Sequence, residues 1–131
     1  MKKPVWIIER ETLILHDRLI ALHGGPAGIR HGGLLKSALA RPQQILAYGE
    51  SPDIMTMAAA YTSGIVNNHP FLDGNKRTGF LIGALFLELN GCELTATEED
   101  AANAVLGLAA GDLNEPEYAE FLRANVRRKQ R

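Results

Sequence analysis

NHPFLDGNKRTGFLIGALFLELN, residues 68–90, carries two signals from which the rest of the chain can be read. Its second half, FLIGALFLEL, is apolar almost all round, and a helix of that composition has to be surrounded by others. A helix is therefore expected from about Asn75 to Asn90, stopped by Gly91 and lying at the centre of the fold. The first half is the connection into it. Pro70 pushes His69 out of the α region, so the preceding helix has to end there, and Asp73-Gly74-Asn75 forms a turn that opens the next one. That new helix starts with Lys76 and Arg77 against the positive end of its own dipole, which costs some tenths of a kcal/mol up to about one for each.

Helical spacing recurs on both sides of this stretch. Ser51-Pro52-Asp53 reads as a helix start with a Ser cap, Pro at the first helical position and an acid in the first turn. Ile54, Met57, Ala58, Tyr61, Ile65 and Asn68 then follow a 3.6-residue period. Upstream, Leu15, Leu19 and Leu22 place one apolar face on a helix over about residues 11–23, which Gly24-Gly25 ends. Gly24 to Gly33 is expected to be loop, and Leu34 to Arg41 a short helix ended by Pro42. Downstream, Thr97 caps a fifth helix that finishes by Gly111, and Asn114-Glu115-Pro116-Glu117 opens a sixth. Val5 to Ile8 and Cys92 to Thr95 tolerate β structure but are too short for a sheet of any size. The expected class is all-α, with about six helices around a central apolar one, in a single domain over residues 1–131.

Composition limits the function. Hydrophobic residues make up 46% and charged residues 22% of the chain, which points away from disorder and from a membrane protein. The single cysteine, Cys92, rules out an intrachain disulfide and a cysteine-based zinc site. The apolar run near the start is too short for a signal peptide, so a cytoplasmic location is expected. A net charge of -1 offers no general attraction to phosphate backbones, and no direct nucleic-acid binding is expected. The basic run Arg127, Arg128, Lys129 and Arg131 is read as favourable charge on the last turn of a C-terminal helix. His16, His23 and His31 lack metal-ligand spacing and are expected at the surface or as caps.

Two readings of residues 69–77 stand side by side. In the plainer one, Asp73-Gly74-Asn75 is a turn and cap, Phe71 a loop anchor and His69 a cap on helix carbonyls. In the other, the helix start is an anion site. Unpaired N–H groups and Gly74 let a phosphate approach, and Lys76 and Arg77 reinforce them. Asp73 would repel that phosphate unless Mg²⁺ lay between, and His69 is then within loop reach as a general base. Thr78 has a similar choice between ligand and its own helix backbone, and Arg30 between a phosphate and a plain connector.

HPFLDGNKRTGF resembles the motif of the Fic/Doc family, histidine-x-phenylalanine-x-acid-glycine-asparagine-glycine-arginine-x-x-arginine, and is most similar to its death-on-curing (Doc) branch. GGPAGIRHGGLLKSALARPQ is also similar to the segment that Doc-type chains carry upstream. The resemblance implies an all-α fold, with His69 as catalytic base, Phe71 as core anchor and Asp73 as Mg²⁺ ligand. It further implies Gly74 and Asn75 as phosphate contacts and Arg77 as phosphate clamp. Lys76 replaces the motif's second glycine and Phe80 its second arginine, the residue that helps hold the β and γ phosphates in Fic proteins that transfer AMP. Doc-type proteins share both departures, and the resemblance implies their chemistry. The γ-phosphoryl group of ATP passes to a Ser or Thr hydroxyl of a protein, with a translation elongation factor as target and a separate small antitoxin protein as restraint. AMP or other nucleotidyl transfer is the alternative within enzymes, and a non-catalytic Fic-fold binding protein the alternative outside them. The resemblance also places a target-holding flap near Tyr48 to Pro52. The self-inhibiting Fic motif has no match.

Overall fold

The structure, a computed structural model, describes residues 3–129. Six helices and one short β-ribbon follow in the order α1 (Glu9–His23), α2 (Gly32–Tyr48), α3 (Ile54–Asn68), α4 (Asn75–Leu89), β1 (Cys92–Leu94), α5 (Glu98–Ala110), α6 (Glu115–Ala124) and β2 (Val126–Arg128). The helical class and the number of helices are as expected. No helix among the described residues is long and apolar enough to cross a membrane.

The centre is a pair, and α3 is its more enclosed member. Residues 57–63 of α3 are all buried, as are Ile65 and Val66, under α2, α4, α5 and α6. Helix α4 packs along α3 at short range because glycines face it. A Cβ on Gly83 would collide with Thr62 Oγ1, and one on Gly79 would lie 3.0 Å from Val66 Cγ2. The hydroxyl of Thr62 donates instead to the Gly79 carbonyl at 2.8 Å, a direct tie between the two helices. The remaining face of α4 is partly open, at Phe80, Leu81 and Ala84, and walls a cavity instead of packing.

Several boundaries differ from the sequence reading, each for a tertiary reason. Pro42 does not end α2 but sits buried inside it. Leu35, Ala38, Leu39 and Pro42 share one buried face, so packing offsets the lost hydrogen bond, a penalty of ~3 kcal/mol in a helix interior. The same helix begins earlier than expected, at Gly32, because His31 Nδ1 accepts from the Leu34 N–H at 3.2 Å. In α1 the buried side chains are Thr12 and His16, whereas Leu22, expected on the apolar face, is 78% exposed. The C-terminal basic run is not the last turn of a helix. Helix α6 stops at Ala124, and Val126–Arg128 pairs antiparallel with Cys92–Leu94, setting Arg127 opposite Glu93. Arg131 lies outside the described residues. Val5 to Ile8 forms no strand. Asn90 brackets Val5 through its N–H and carbonyl, and Ile7 N–H donates to the buried Tyr61 hydroxyl at 3.0 Å.

The cap of α3 is Asp53, not Ser51, whose φ of 51° keeps it outside the helix. Asp53 accepts from Thr56 N–H at 2.8 Å and from Arg123 Nε of α6 at 2.6 Å. The hydrogen bond to Arg123 pulls the Asp53 carboxyl down from 3.8 to about 2. A carboxyl with a depressed folded-state pKa contributes stability above its unfolded value and loses it as pH falls through the folded one. Arg123→Met is therefore expected to flatten the drop in melting temperature between pH 4 and pH 2, where the wild type loses about 1 kcal/mol once solvent screening is allowed for. Parallel pH profiles for the two proteins in thermal denaturation would show the pair to be inert.

Candidate active site

The site is built from the end of α3, the start of α4 and the six residues between them. Helix α3 closes at His69, which takes left-handed geometry (φ 51°, ψ 54°) ahead of Pro70, a residue that disfavours the right-handed helical region in the one before it. Arg30 reaches across and donates to the carbonyls of Asn68 at 2.8 Å and His69 at 2.6 Å, closing the helix end. The glycine-rich segment runs edge to edge with the loop. Arg30 and His31 N–H groups donate to the Pro70 carbonyl, Leu72 N–H donates to the Gly28 carbonyl, and Ile29 pairs with Phe71.

Inside this frame the loop is held by aromatic and amide contacts. Phe71 is 1% exposed and lies flat on the buried ring of His16, with centroids 3.7 Å apart and planes 8° from parallel. His16 Nε2 donates to the Asp73 carbonyl at 2.8 Å. Asn75, itself 5% exposed, grips Phe71 on both sides, accepting from its N–H and donating to its carbonyl, each at 3.0 Å. The same Asn75 amide nitrogen lies 3.0 Å from His69 Nδ1.

Helix α4 starts at Gly74 (φ 78°) without a side-chain cap, while α2, α3, α5 and α6 all carry one. The Gly74 N–H is taken by Asp73 Oδ1 at 2.7 Å. The backbone N–H groups of Asn75, Lys76 and Arg77 therefore make an uncapped helix start, the arrangement that accepts anions. Among the described residues, neither Lys76 nor Arg77 forms an ion pair with a carboxylate. Both are exposed, so their positive charge adds to that of the helix end.

A cavity of about 1140 Å³ opens on this turn, and His69, Asp73, Gly74, Asn75, Lys76 and Arg77 all line it. Away from the turn it runs along Phe80, Leu81 and Ala84 of α4 and Val105 and Leu106 of α5, with Glu88, Glu93 and Glu98 also in its wall. The six residues singled out from sequence thus meet at one end of one cavity. Among the described residues no three His, Cys, Asp or Glu side chains cluster as a metal site; Asp73 is the carboxylate at the turn itself, while Glu88, Glu93 and Glu98 line the cavity elsewhere.

A family model described as Fic/DOC family matches residues 6–87, a span that contains every one of these groups. The chain belongs to the Fic/DOC family. It is 32% identical over 117 residues to "Protein kinase doc" of Escherichia phage P1, across 89% of this chain and 92% of that protein. It is 41% identical over 75 residues to "Toxin Doc" of Mycolicibacterium smegmatis, covering 56% of this chain and 57% of that one. Its fold is similar to the N-terminal Fic domain of a VirB-translocated Bep effector protein from Bartonella quintana, solved with bound ADP. The TM-score is 0.50 at 16% identity, over 82% of this chain and 54% of that one.

Within this Fic/DOC site some side chains act differently from expectation. The Asn75 side chain is committed to Phe71 and His69, so it offers a phosphate only its backbone N–H. Arg30 meets helix carbonyls, not a phosphate-facing surface. Thr78 Oγ1 touches neither its helix backbone nor the cavity, and is buried without a hydrogen-bond partner. Tyr48 to Pro52 cannot border the site. It lies at the opposite end of the 15-residue α3 from His69, roughly 20 Å away at 1.5 Å per residue. The backbone beside His69 is instead that of Gly28 to His31. His16, expected at the surface or as a cap, is 1% exposed and supports the loop. Only its i, i+4 pairing with Thr12 on a buried polar face sets it apart in sequence.

Proposed function

We propose that the chain is a Doc-type toxin, acting as one domain, that transfers the γ-phosphoryl group of ATP to a Ser or Thr hydroxyl of a protein. The observation that carries this is the uncapped start of α4, which bears two cations without a carboxylate partner among the described residues and opens on the cavity that His69 and Asp73 also line. Phosphoryl transfer needs in-line placement and neutralised equatorial oxygens more than covalent work by the protein. The N–H groups of Asn75 to Arg77, with the Lys76 and Arg77 side chains, bind and orient the phosphates. Asp73 is exposed and stands at the same turn, which fits Mg²⁺ held by one carboxylate, waters and phosphate oxygens. That ion, when bound, supplies charge neutralisation between the carboxylate and the phosphates. His69 takes the hydroxyl proton. Phe80 lines the cavity where the wider Fic pattern has an arginine, which favours a nucleotide bound for γ transfer.

The kinase name of the phage relative, which this chain matches over nearly its whole length, supports the same reading. The family resemblance adds a translation elongation factor as target and a small antitoxin as inhibitor, with the cytoplasm as place of action. The deciding experiment adds the protein to cell extract with ATP labelled at the α or the γ phosphorus. Label from γ alone is expected on one protein band. Label from α would make the chain a nucleotidyltransferase, and none from either would leave a binding role.

Gly25 belongs to the same proposal. Its φ is 107°, and a Cβ there would collide with Asp73 Oδ2, so the carboxylate rests where only glycine leaves room. Gly25→Ala is expected to weaken apparent Mg²⁺ affinity roughly 10- to 100-fold by displacing that carboxylate, with activity recovered at high Mg²⁺. A Mg²⁺ titration of γ transfer identical to wild type would count against Asp73 as the ligand.

A further inference from the structure

The contact between Asn75 and His69 fixes more than a loop. An amide can be built with its oxygen and nitrogen exchanged, but here the Phe71 backbone decides the orientation. The Phe71 N–H needs an acceptor and finds Asn75 Oδ1 at 3.0 Å, while the Phe71 carbonyl needs a donor and finds Asn75 Nδ2 at 3.0 Å. The second hydrogen on Nδ2 then points at His69 Nδ1, also at 3.0 Å. A ring nitrogen facing an N–H has to be unprotonated, so the neutral ring carries its proton on Nε2. His69 is exposed and lines the cavity, so Nε2 is the nitrogen left for whatever binds there.

We propose that Asn75 is a positioning residue that sets the tautomer of His69 and holds the resting ring as a hydrogen-bond donor toward the cavity. In that form the ring can steady an oxygen of a bound phosphate but cannot accept a hydroxyl proton at Nε2. For Nε2 to become the base, its proton has to leave and Nδ1 has to gain one, and Nδ1 can do so only after the Asn75 amide swings away. That amide cannot move without breaking its two bonds to Phe71, so release of the base is tied to rearrangement of the loop that carries Asp73. The assignment of the tautomer stands on hydrogen bonding alone, while its consequence for proton transfer rests on the role given to His69 above.

The test is spectroscopic. Two-bond ¹H–¹⁵N spectra of the full chain, labelled with ¹⁵N and recorded at alkaline pH where imidazoles are neutral, report which ring nitrogen bears hydrogen. His69→Gln identifies the signal. The expected result is a pure Nε2–H pattern for His69 in the wild type, a mixture of tautomers in Asn75→Ala and a shift toward Nδ1–H in Asn75→Asp, whose carboxylate turns the donor into an acceptor. Any Nδ1–H population in the wild type would overturn the proposal, as would an unchanged pure Nε2–H pattern in both variants. Should a variant fail to fold, the wild-type spectrum and the other variant still decide. A kinase that labels its target but shows Nδ1–H would sink this inference and leave the proposed function intact.

Discussion

His69→Ala is expected to lower γ-phosphoryl transfer by about 10²- to 10⁴-fold, the range that a positioned acid–base group contributes. The loss is expected in turnover and not in nucleotide affinity. On the proposed reading the phosphates are held by the backbone N–H groups at the start of α4 and by the Lys76 and Arg77 side chains, whereas the His69 ring bonds only the side-chain amide of Asn75. Alanine carries a complication, because His69 sits at φ 51° in left-handed geometry that alanine adopts with strain. His69→Asn removes the imidazole while keeping a side chain tolerated there, so the pair of variants separates chemistry from backbone strain. Both are expected to stay folded, since the ring is exposed and lies outside the hydrophobic core. Initial rates with γ-labelled ATP, beside nucleotide titrations of each protein, check this. Transfer within tenfold of wild type in His69→Asn would remove the histidine from the reaction.

Phe71→Ala is expected to cost the fold about 3–5 kcal/mol, the cost of emptying a fully buried aromatic site. Against a total stability of roughly 5–15 kcal/mol for a domain of this kind, that leaves a marginal protein. The loss exceeds that of an ordinary loop anchor because Phe71 is shared. Its ring stacks on His16 from α1, its backbone is gripped by Asn75 from α4, and its edge pairs with Ile29. Removing the ring also frees the support under Asp73, so phosphoryl transfer is expected to fall even at temperatures where the variant is still folded. Urea unfolding followed by circular dichroism measures the first effect and the labelled-ATP assay the second. A stability loss under about 1 kcal/mol would mean that the loop closes over the gap unaided.

The two variants probe parts of the site that differ in how openly the sequence announces them. His69, Asp73, Gly74, Lys76 and Arg77 lie within nine residues and are brought together by one turn between two helices, so their meeting in a single cavity follows from short-range geometry. The support beneath them comes from His16, Gly25 and Arg30, some 40 to 60 residues earlier in the chain. A histidine among leucines on an amphipathic helix gives no sign that it will be buried under a loop 57 positions away. Arg30 was legible as a cation near glycines, but whether it meets a phosphate or a carbonyl depends on where α3 ends in space.

The amino-acid sequence alone determined the helical class, the number of helices, the stop at His69-Pro70, the start at Asn75, the caps Thr97 and Asn114 and the family motif. Each of these depends on groups within about four residues of one another, where backbone sterics and capping leave few choices. Only the tertiary structure decided that α2 runs through Pro42, that Asp53 and not Ser51 caps α3, that the C-terminal basic run enters a strand, and that Tyr48 lies far from the site. Those outcomes turn on partners distant in the chain, among them Arg123 for Asp53 and the backbone of Cys92–Leu94 for Val126–Arg128, whose bonds exist only once the helices have packed.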